Sequence, residues 1–372
     1  QEFEPLLDER MIVYSYLSVD PASVEPDFDQ SEDYEMLMAR LLYVDRMGDG
    51  WSMGVFVREL AALYGAYVAG RPTPLPEPTL QYADFSRWQQ DRLNGNLGRQ
   101  QLAYWKQKLA QLDPLQLPTD RPRPTVESFR GGHLFFHIGQ ELTRDLHRLS
   151  REEGVTLYVT VLAAFDVLLA RYSRQDDIAV SSGTANRKHP AFEGLIGFFV
   201  NTLAIRCDLS DNPTFRVLLG RVRQSVNEAF EHDDLPFERV VEELRPERTA
   251  SQSPLAQVAL TLQSFASTEL SLPGLASARW DKIRFSTSKF DLMLLITEVD
   301  AELEVVFEYN TDLFDRTTVE RMGAHYQNIL RHVVRDRHTP VGGICLLDDA
   351  DRRVLIEEWN QTEAPFSSQA CI

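Results

Sequence analysis

The sequence predicts an α+β fold in which an open sheet is covered by helices, and three observations predict it. From Phe129 onward, strand-like and helix-like periodicities follow one another without a regular βαβ repeat. The stretch from Thr156 to Tyr172 is apolar nearly all round, which requires a central helix. After it, Val258 to Leu262, Leu292 to Thr297 and Leu303 to Tyr309 read as strands closed by an amphipathic helix.

Taken in order, Met11 to Leu17 reads as one strand, followed by an acidic, Pro-containing segment to Glu35 with no readable role. The apolar run Leu41-Leu42-Tyr43-Val44 stops at Asp45-Arg46-Met47-Gly48-Asp49-Gly50-Trp51. Ser52 is then the predicted cap of a helix with Phe56, Leu60, Leu63 and Tyr67 on one face. Gly70 and Pro72 end that helix, and Pro72, Pro74, Pro76 and Pro78 make an extended connector. A second helix places Leu102, Trp105, Leu109 and Leu112 on one face and stops at Asp113-Pro114. The proline-dense segment from Leu117 to Pro124 reads as a linker between lobes.

Beyond it, Leu134 to Phe136 reads as a strand and Leu142, Leu146 and Leu149 as a helix face stopped by Gly154. Ile178 to Val180 and Leu203 to Ile205 are short strands. Thr214 caps a helix bearing Phe215, Leu218, Val222, Val226 and Phe230. Asp315 caps a last helix carrying Val319, Met322, Tyr326, Ile329 and Val333.

Composition narrows the function. At 372 residues the chain is long enough for two lobes with their own cores. A formal charge of −18 argues against nucleic acid or an anionic membrane as partner, because either needs a basic face. Three cysteines, Cys207, Cys345 and Cys371, have no metal-ligand spacing and no even count for a disulfide framework. With no signal-peptide-like segment and no run near the roughly 20 apolar residues of a membrane span, the expected location is the cytoplasm, with no metal and no membrane partner.

Gly48, Gly50 and Gly54 lack the Lys-Ser/Thr of a phosphate loop and read as turn glycines. His232 beside Asp233 and Asp234 has the look of an acid–base pair, although a loop histidine among carboxylates is more often a surface or hinge feature. The run Phe198-Phe199-Val200-Asn201-Thr202 reads as core strand.

The stretch from Val44 to Gly54 resembles the His-His-x-x-x-Asp-Gly-(Trp)-Ser signature of condensation domains from nonribosomal peptide synthetases. So do further motifs in the same order. These are Tyr82-Ala83-Asp84-Phe85-Ser86-Arg87-Trp88, Ala185-Asn186-Arg187, Ile196-Gly197-Phe198-Phe199-Val200-Asn201-Thr202-Leu203, His232 to Glu238, Ser253-Pro254-Leu255, Lys289-Phe290-Asp291-Leu292 and Glu308 to Phe314. The segment Glu358 to Pro365 is similar to the linker into an adenylation domain.

The resemblance implies a two-lobed, V-shaped pseudo-dimer of chloramphenicol-acetyltransferase type. Its expected parts are a shortened N-terminal lobe at 1–116, a linker at 117–128, a C-terminal lobe at 129–350 and a linker towards an adenylation domain at 351–372. It also implies 4'-phosphopantetheine substrates presented by upstream and downstream carrier proteins in a tunnel between the lobes, with no cofactor bound by the domain itself.

Two departures qualify it. Aligned on Asp49-Gly50, the signature histidines fall on Val44 and Asp45, and the second is the catalytic one. The motifs Ser-x-Ala-Gln-x-Arg and Arg-His-Glu-x-Leu-Arg are missing before it, so the N-terminal lobe is expected to be incomplete or rebuilt. By resemblance the catalytic set is Asp45 in place of the histidine, with Gly50 and Ser52. The structural pair is Asp49 with Arg187, and Trp51, Asn201 and Ser288 line the tunnel.

Amide formation from a thioester needs a free amine, alignment and oxyanion stabilisation. An ordinary carboxylate titrates near 4 and is a poor base for an alkylammonium, so Asp45 predicts weakened condensation. The alternative is a non-catalytic platform that binds carriers and recruits a tailoring oxygenase.

Overall fold

A computed structural model describes residues 49–244, 253, 255–263 and 286–361. The expected strand at Met11 to Leu17 and the signature positions Val44 and Asp45 lie outside the described residues, as do Cys371 and the end of the expected C-terminal linker.

One six-stranded mixed sheet organises the described residues. Its strands are β1 (Gly131–Ile138), β2 (Asp177–Thr184), β3 (Asn201–Asp208), β4 (Val258–Gln263), β5 (Leu292–Val299) and β6 (Glu302–Asn310), in the order β1-β6-β5-β4-β2-β3. The central pairs β2–β4 and β4–β5 are parallel, and β1–β6, β5–β6 and β2–β3 are antiparallel. The outermost pairs are thus antiparallel ladders, with parallel strands buried between them.

Helices α1 (Gly50–Val68), α2 (Tyr82–Leu93) and α3 (Asn96–Lys108) precede the sheet. Helices α4 (Gln140–Glu152), α5 (Leu157–Ser173), α6 (Phe215–Glu231), α7 (Phe237–Leu244) and α8 (Arg316–Arg335) are interleaved with its strands, and the short α9 (Asp349–Arg353) follows. Twelve residues of α5 are buried, and the helix packs against α6, α4, α8 and β2, so its all-round apolarity is matched by contact on all sides. Thr156 caps it by accepting a hydrogen bond from Val159 N, and Thr214 does the same for α6 from Val217 N. Gly154 adopts φ +63°, the left-handed conformation that lets the chain leave α4 and enter α5.

Several boundaries differ from expectation for identifiable reasons. The second predicted helix ends at Lys108 rather than Asp113, because Leu109 already caps it through backbone bonds. Asp315 occupies the N-cap position of α8, but its carboxylate pairs with Arg121. Asp120 binds the start of the helix, accepting from Asp315 N at 2.7 Å and Thr318 Oγ1 at 2.9 Å. The proline-dense segment is therefore strapped to the lobe, and Arg123 fastens it further through a bidentate pair with Asp291. Phe230 is 42% exposed although it lies near the apolar stripe of α6.

The largest correction concerns α1. Leu63 and Tyr67, expected on its core face, are 43% and 84% exposed, and the buried residues are Ser52, Val55, Val57 and Ala66. The helix is apolar on more than one side, so periodicity did not select the side that packs. Among the described residues no single helix is long and apolar enough to cross a membrane.

Candidate functional site

Helix α1 meets the lobe through one polar latch. Asp49, its N-cap, directs Oδ1 at Ser52 N (2.8 Å), Ser52 Oγ (2.8 Å) and Arg187 Nη2 (3.2 Å). Its Oδ2 accepts from Phe199 N (3.0 Å) and Val200 N (3.2 Å). Ser52 Oγ also lies 2.8 Å from Gly197 O, which competes with Asp49 Oδ1 for its single proton, and accepts from Gly197 N (3.1 Å) and Arg187 Nη2 (2.9 Å).

The side chains of Asp49 and Arg187 are each 2% exposed. Burial pushes the Arg187 guanidinium pKa down, and the Asp49 carboxylate opposes that shift. Arg187 Nη1 donates to the carbonyls of Phe192 and Leu195, and the guanidinium lies 3.9 Å from the centre of the Phe199 ring. One buried ion pair thus ties the start of α1 to the loop between β2 and β3, and its remaining hydrogen-bonding capacity is largely used.

Helix α2 docks beside it. Tyr82 donates to Phe198 O at 2.7 Å, and Phe85, Phe192, Leu195 and Phe199 form a second small core with Leu80 and Tyr82 packed against it. A Cβ on Gly197 would fall 2.1 Å from the Tyr82 ring, so only glycine permits this approach. Trp51 Nε1 donates to Glu193 O at 2.8 Å, which closes the same loop from the other side.

Several predicted site residues take other roles. Ser52 is fully buried with its hydroxyl held among Asp49, Gly197 and Arg187, so it anchors the latch. Gly50 is exposed at the first position of α1 and contributes backbone only.

Asn201 spends its side chain on the chain that follows α6. It is 6% exposed, its amide donates to the carbonyls of Asp233 and Leu235 (2.8 Å each), and its oxygen accepts from Phe237 N at 3.0 Å. The run before it is not strand. β3 begins at Asn201, Phe198 is 54% exposed and Phe199 belongs to the second core. Ser288 is 1% exposed and turns its hydroxyl to Phe290 O at 2.7 Å.

His232 forms no acid–base pair with its neighbours. Its ring stacks on Tyr104 at 3.8 Å and its Nδ1 lies 2.8 Å from Glu228 O. Asp233 and Asp234 instead grip Lys188. Burial works against the charged Lys188 ammonium, but the hydrogen bonds it donates to the two aspartates, with their negative charge, outweigh it and raise its pKa.

Lys188 and Gly197 carry structural weight that the sequence did not single out. The only local signals were the dibasic Arg187-Lys188 and a glycine between two apolar residues.

A family model described as Condensation domain matches residues 47–356. The chain belongs to the condensation domains. It is 61% identical over 333 residues to a chondramide synthase of Chondromyces crocatus, covering 90% of this chain and 8% of that protein. To a linear gramicidin synthase of Brevibacillus parabrevis it is 46% identical over 331 residues, covering 88% of this chain and 4% of that one. The chain thus spans less than a tenth of the length of either relative.

Among solved structures, the complex of the X-domain and OxyB from teicoplanin biosynthesis aligns with a TM-score of 0.75 at 30% identity, covering 82% of this chain and 68% of that one. A four-domain nonribosomal peptide synthetase bound to AMP and glycine aligns at 0.70 and 26% identity, covering 81% and 24%. The α+β fold of chloramphenicol-acetyltransferase type agrees with these neighbours. In this condensation domain, a six-stranded lobe carries α1 and α2 against the loop between β2 and β3, while α3 lies against the end of α6 and α7.

Proposed function

We propose that this condensation domain joins a carrier-bound thioester donor to an amine acceptor within a nonribosomal peptide synthetase, at a rate lowered by the loss of the signature histidine. The supporting observation is the Asp49–Ser52–Arg187 latch, which holds the structural half of the signature in a buried, hydrogen-bonded arrangement while the catalytic half reads Val44-Asp45. Carrier domains presenting 4'-phosphopantetheine on either side, and an adenylation domain after the tail, are the partners this reading requires. Alignment alone supplies a large part of such rate enhancements, which is why slow turnover is expected rather than none.

A second reading is favoured by the likeness to an X-domain solved as a complex with OxyB. In it, the domain holds carriers and recruits a tailoring oxygenase without chemistry of its own.

A single-turnover assay with loaded donor and acceptor carriers separates the two. Val44→His with Asp45→His is expected to raise amide formation by roughly 10²–10⁴-fold, the usual contribution of a general acid–base group. No gain over an already active unmodified domain overturns the histidine argument. No condensation in either form, with tight binding of an oxygenase, favours the platform.

A further inference from the structure

Helices α4 and α8 enclose a groove of about 490 Å³ on the outside of the lobe, lined by Glu141, Leu142, Asp145, Arg148, Arg331, Val334 and Arg335. A second depression of about 320 Å³ continues it past Gln327 towards the end of β1, sharing Glu141, Leu142 and Arg331. Leu142 and Val334 are half-buried and form an apolar floor, while Arg148, Arg331 and Arg335 stand exposed along the walls. On α4, Arg144 and Arg151 extend the exposed basic row at helical spacing from Arg148.

Little of this charge is used within the fold. Arg148 pairs with Asp145 at 3.0 Å, and Arg331 donates to the neutral amides of Asn328 (2.9 Å) and Gln327 (3.0 Å). Arg144, Arg151 and Arg335 make no ion pair among the described residues. Arg144 and Arg151 lie beyond the lining, and Glu152 feels both Arg148 and Arg151, so five arginines against Glu141, Asp145 and Glu152 leave a local excess of two positive charges on a chain whose formal charge is −18.

We infer that the α4–α8 groove docks an acidic amphipathic helix of a partner protein, with apolar side chains on Leu142 and Val334 and carboxylates between the two arginine rows. Two helical walls with an apolar floor suit a helix laid in a groove, and a cationic rim on an otherwise acidic molecule steers an anionic segment towards it. Nucleic acid fits less well, because the surrounding surface would repel a phosphate chain beyond this short patch. The inference is independent of whether the domain condenses.

The test uses the whole chain and a fluorescein-labelled peptide with leucines at i, i+4 and i+7 and glutamates on its other positions. Anisotropy should show saturable binding that weakens as salt rises, because screening shortens the reach of exposed charges. R148E/R331E/R335E should weaken binding by at least about tenfold through like-charge contact. R148Q/R331Q/R335Q should fall between, and reversing the distant exposed Arg239 should change nothing. Circular dichroism confirms that the variants fold.

The inference is overturned if the unmodified chain shows no saturable binding, or if the triple reversal binds equally well. It is also overturned by sedimentation of a dimer that only the reversal dissociates, which makes the occupant a second copy, or by an oligonucleotide that outcompetes the peptide.

Discussion

Asp49, at the head of α1, has five hydrogen-bond donors around its carboxylate, one of them a guanidinium, whereas Asp166, in the middle of α5, has none at either carboxylate oxygen. Exposure does not distinguish them, at 8% and 1%. The difference is what the neighbouring chain supplies. The β2–β3 loop brings Arg187 and two peptide N–H groups to Asp49. The layer around Asp166 is apolar, and the nearest titratable groups that feel its charge, Tyr158 and Cys207, are themselves pushed up by burial. Desolvation therefore holds the Asp166 carboxyl well above the usual carboxylate range, in a form that tolerates the core without a cation. The latch is where α1 is oriented against the lobe, and the core position is where the lobe only has to be filled.

The strongest way to break this contrast is Asp49→Ala, which leaves Arg187 buried without its carboxylate. It should cost about 3–5 kcal/mol in denaturant titration, the usual penalty for orphaning a buried charge, and a loss below about 1 kcal/mol would put the pair in the class of exposed ones. Gly197→Ala attacks the same junction sterically. The Tyr82 ring must move away, and a loss of about 1–3 kcal/mol is expected, with Trp51 fluorescence reporting the disturbed loop.

Asp166→Asn sharpens the other side. Because the folded-state pKa is raised, the native state keeps a proton that the unfolded chain releases. The resulting stability is present at low pH and is lost as pH rises from the unfolded value, near 4, through the raised native one. Within that window this group contributes a slope of up to about 1.4 kcal/mol per pH unit, and urea titrations of the asparagine variant should lack it. An unchanged slope would show that Asp166 finds a partner in solution. The smallest effect is expected from Lys106→Ala, whose 2.8 Å pair with Glu243 is exposed on both sides. Less than about 1 kcal/mol should change, and less still at high salt.

Much of the lobe was legible in advance because its signals are local. Thr156 and Thr214 cap their helices within three residues, Gly154 turns the chain by its own conformation, and Val319, Met322, Tyr326, Ile329 and Val333 fall on one side of α8 by the helical repeat alone. The motif order likewise identified the family from residues that stand in sequence. The site was less legible. Ser52 reads as a helix cap and, by resemblance, as part of the catalytic set, and Asn201 and Ser288 as tunnel contacts, yet each is buried with a hydrogen bond to backbone.

What the sequence by itself determined is the existence and kind of most elements and the membership in a family, since capping, periodicity and motif order need only neighbouring residues. What only the tertiary structure decided is which side of α1 packs and which polar side chains are spent on holding the fold. Ser52 meets Gly197 across 145 residues and Asp49 meets Arg187 across 138. A hydrogen bond of that span depends on how the strands are ordered in the sheet and on how closely Gly197 lets Tyr82 approach, and neither is written in any local pattern.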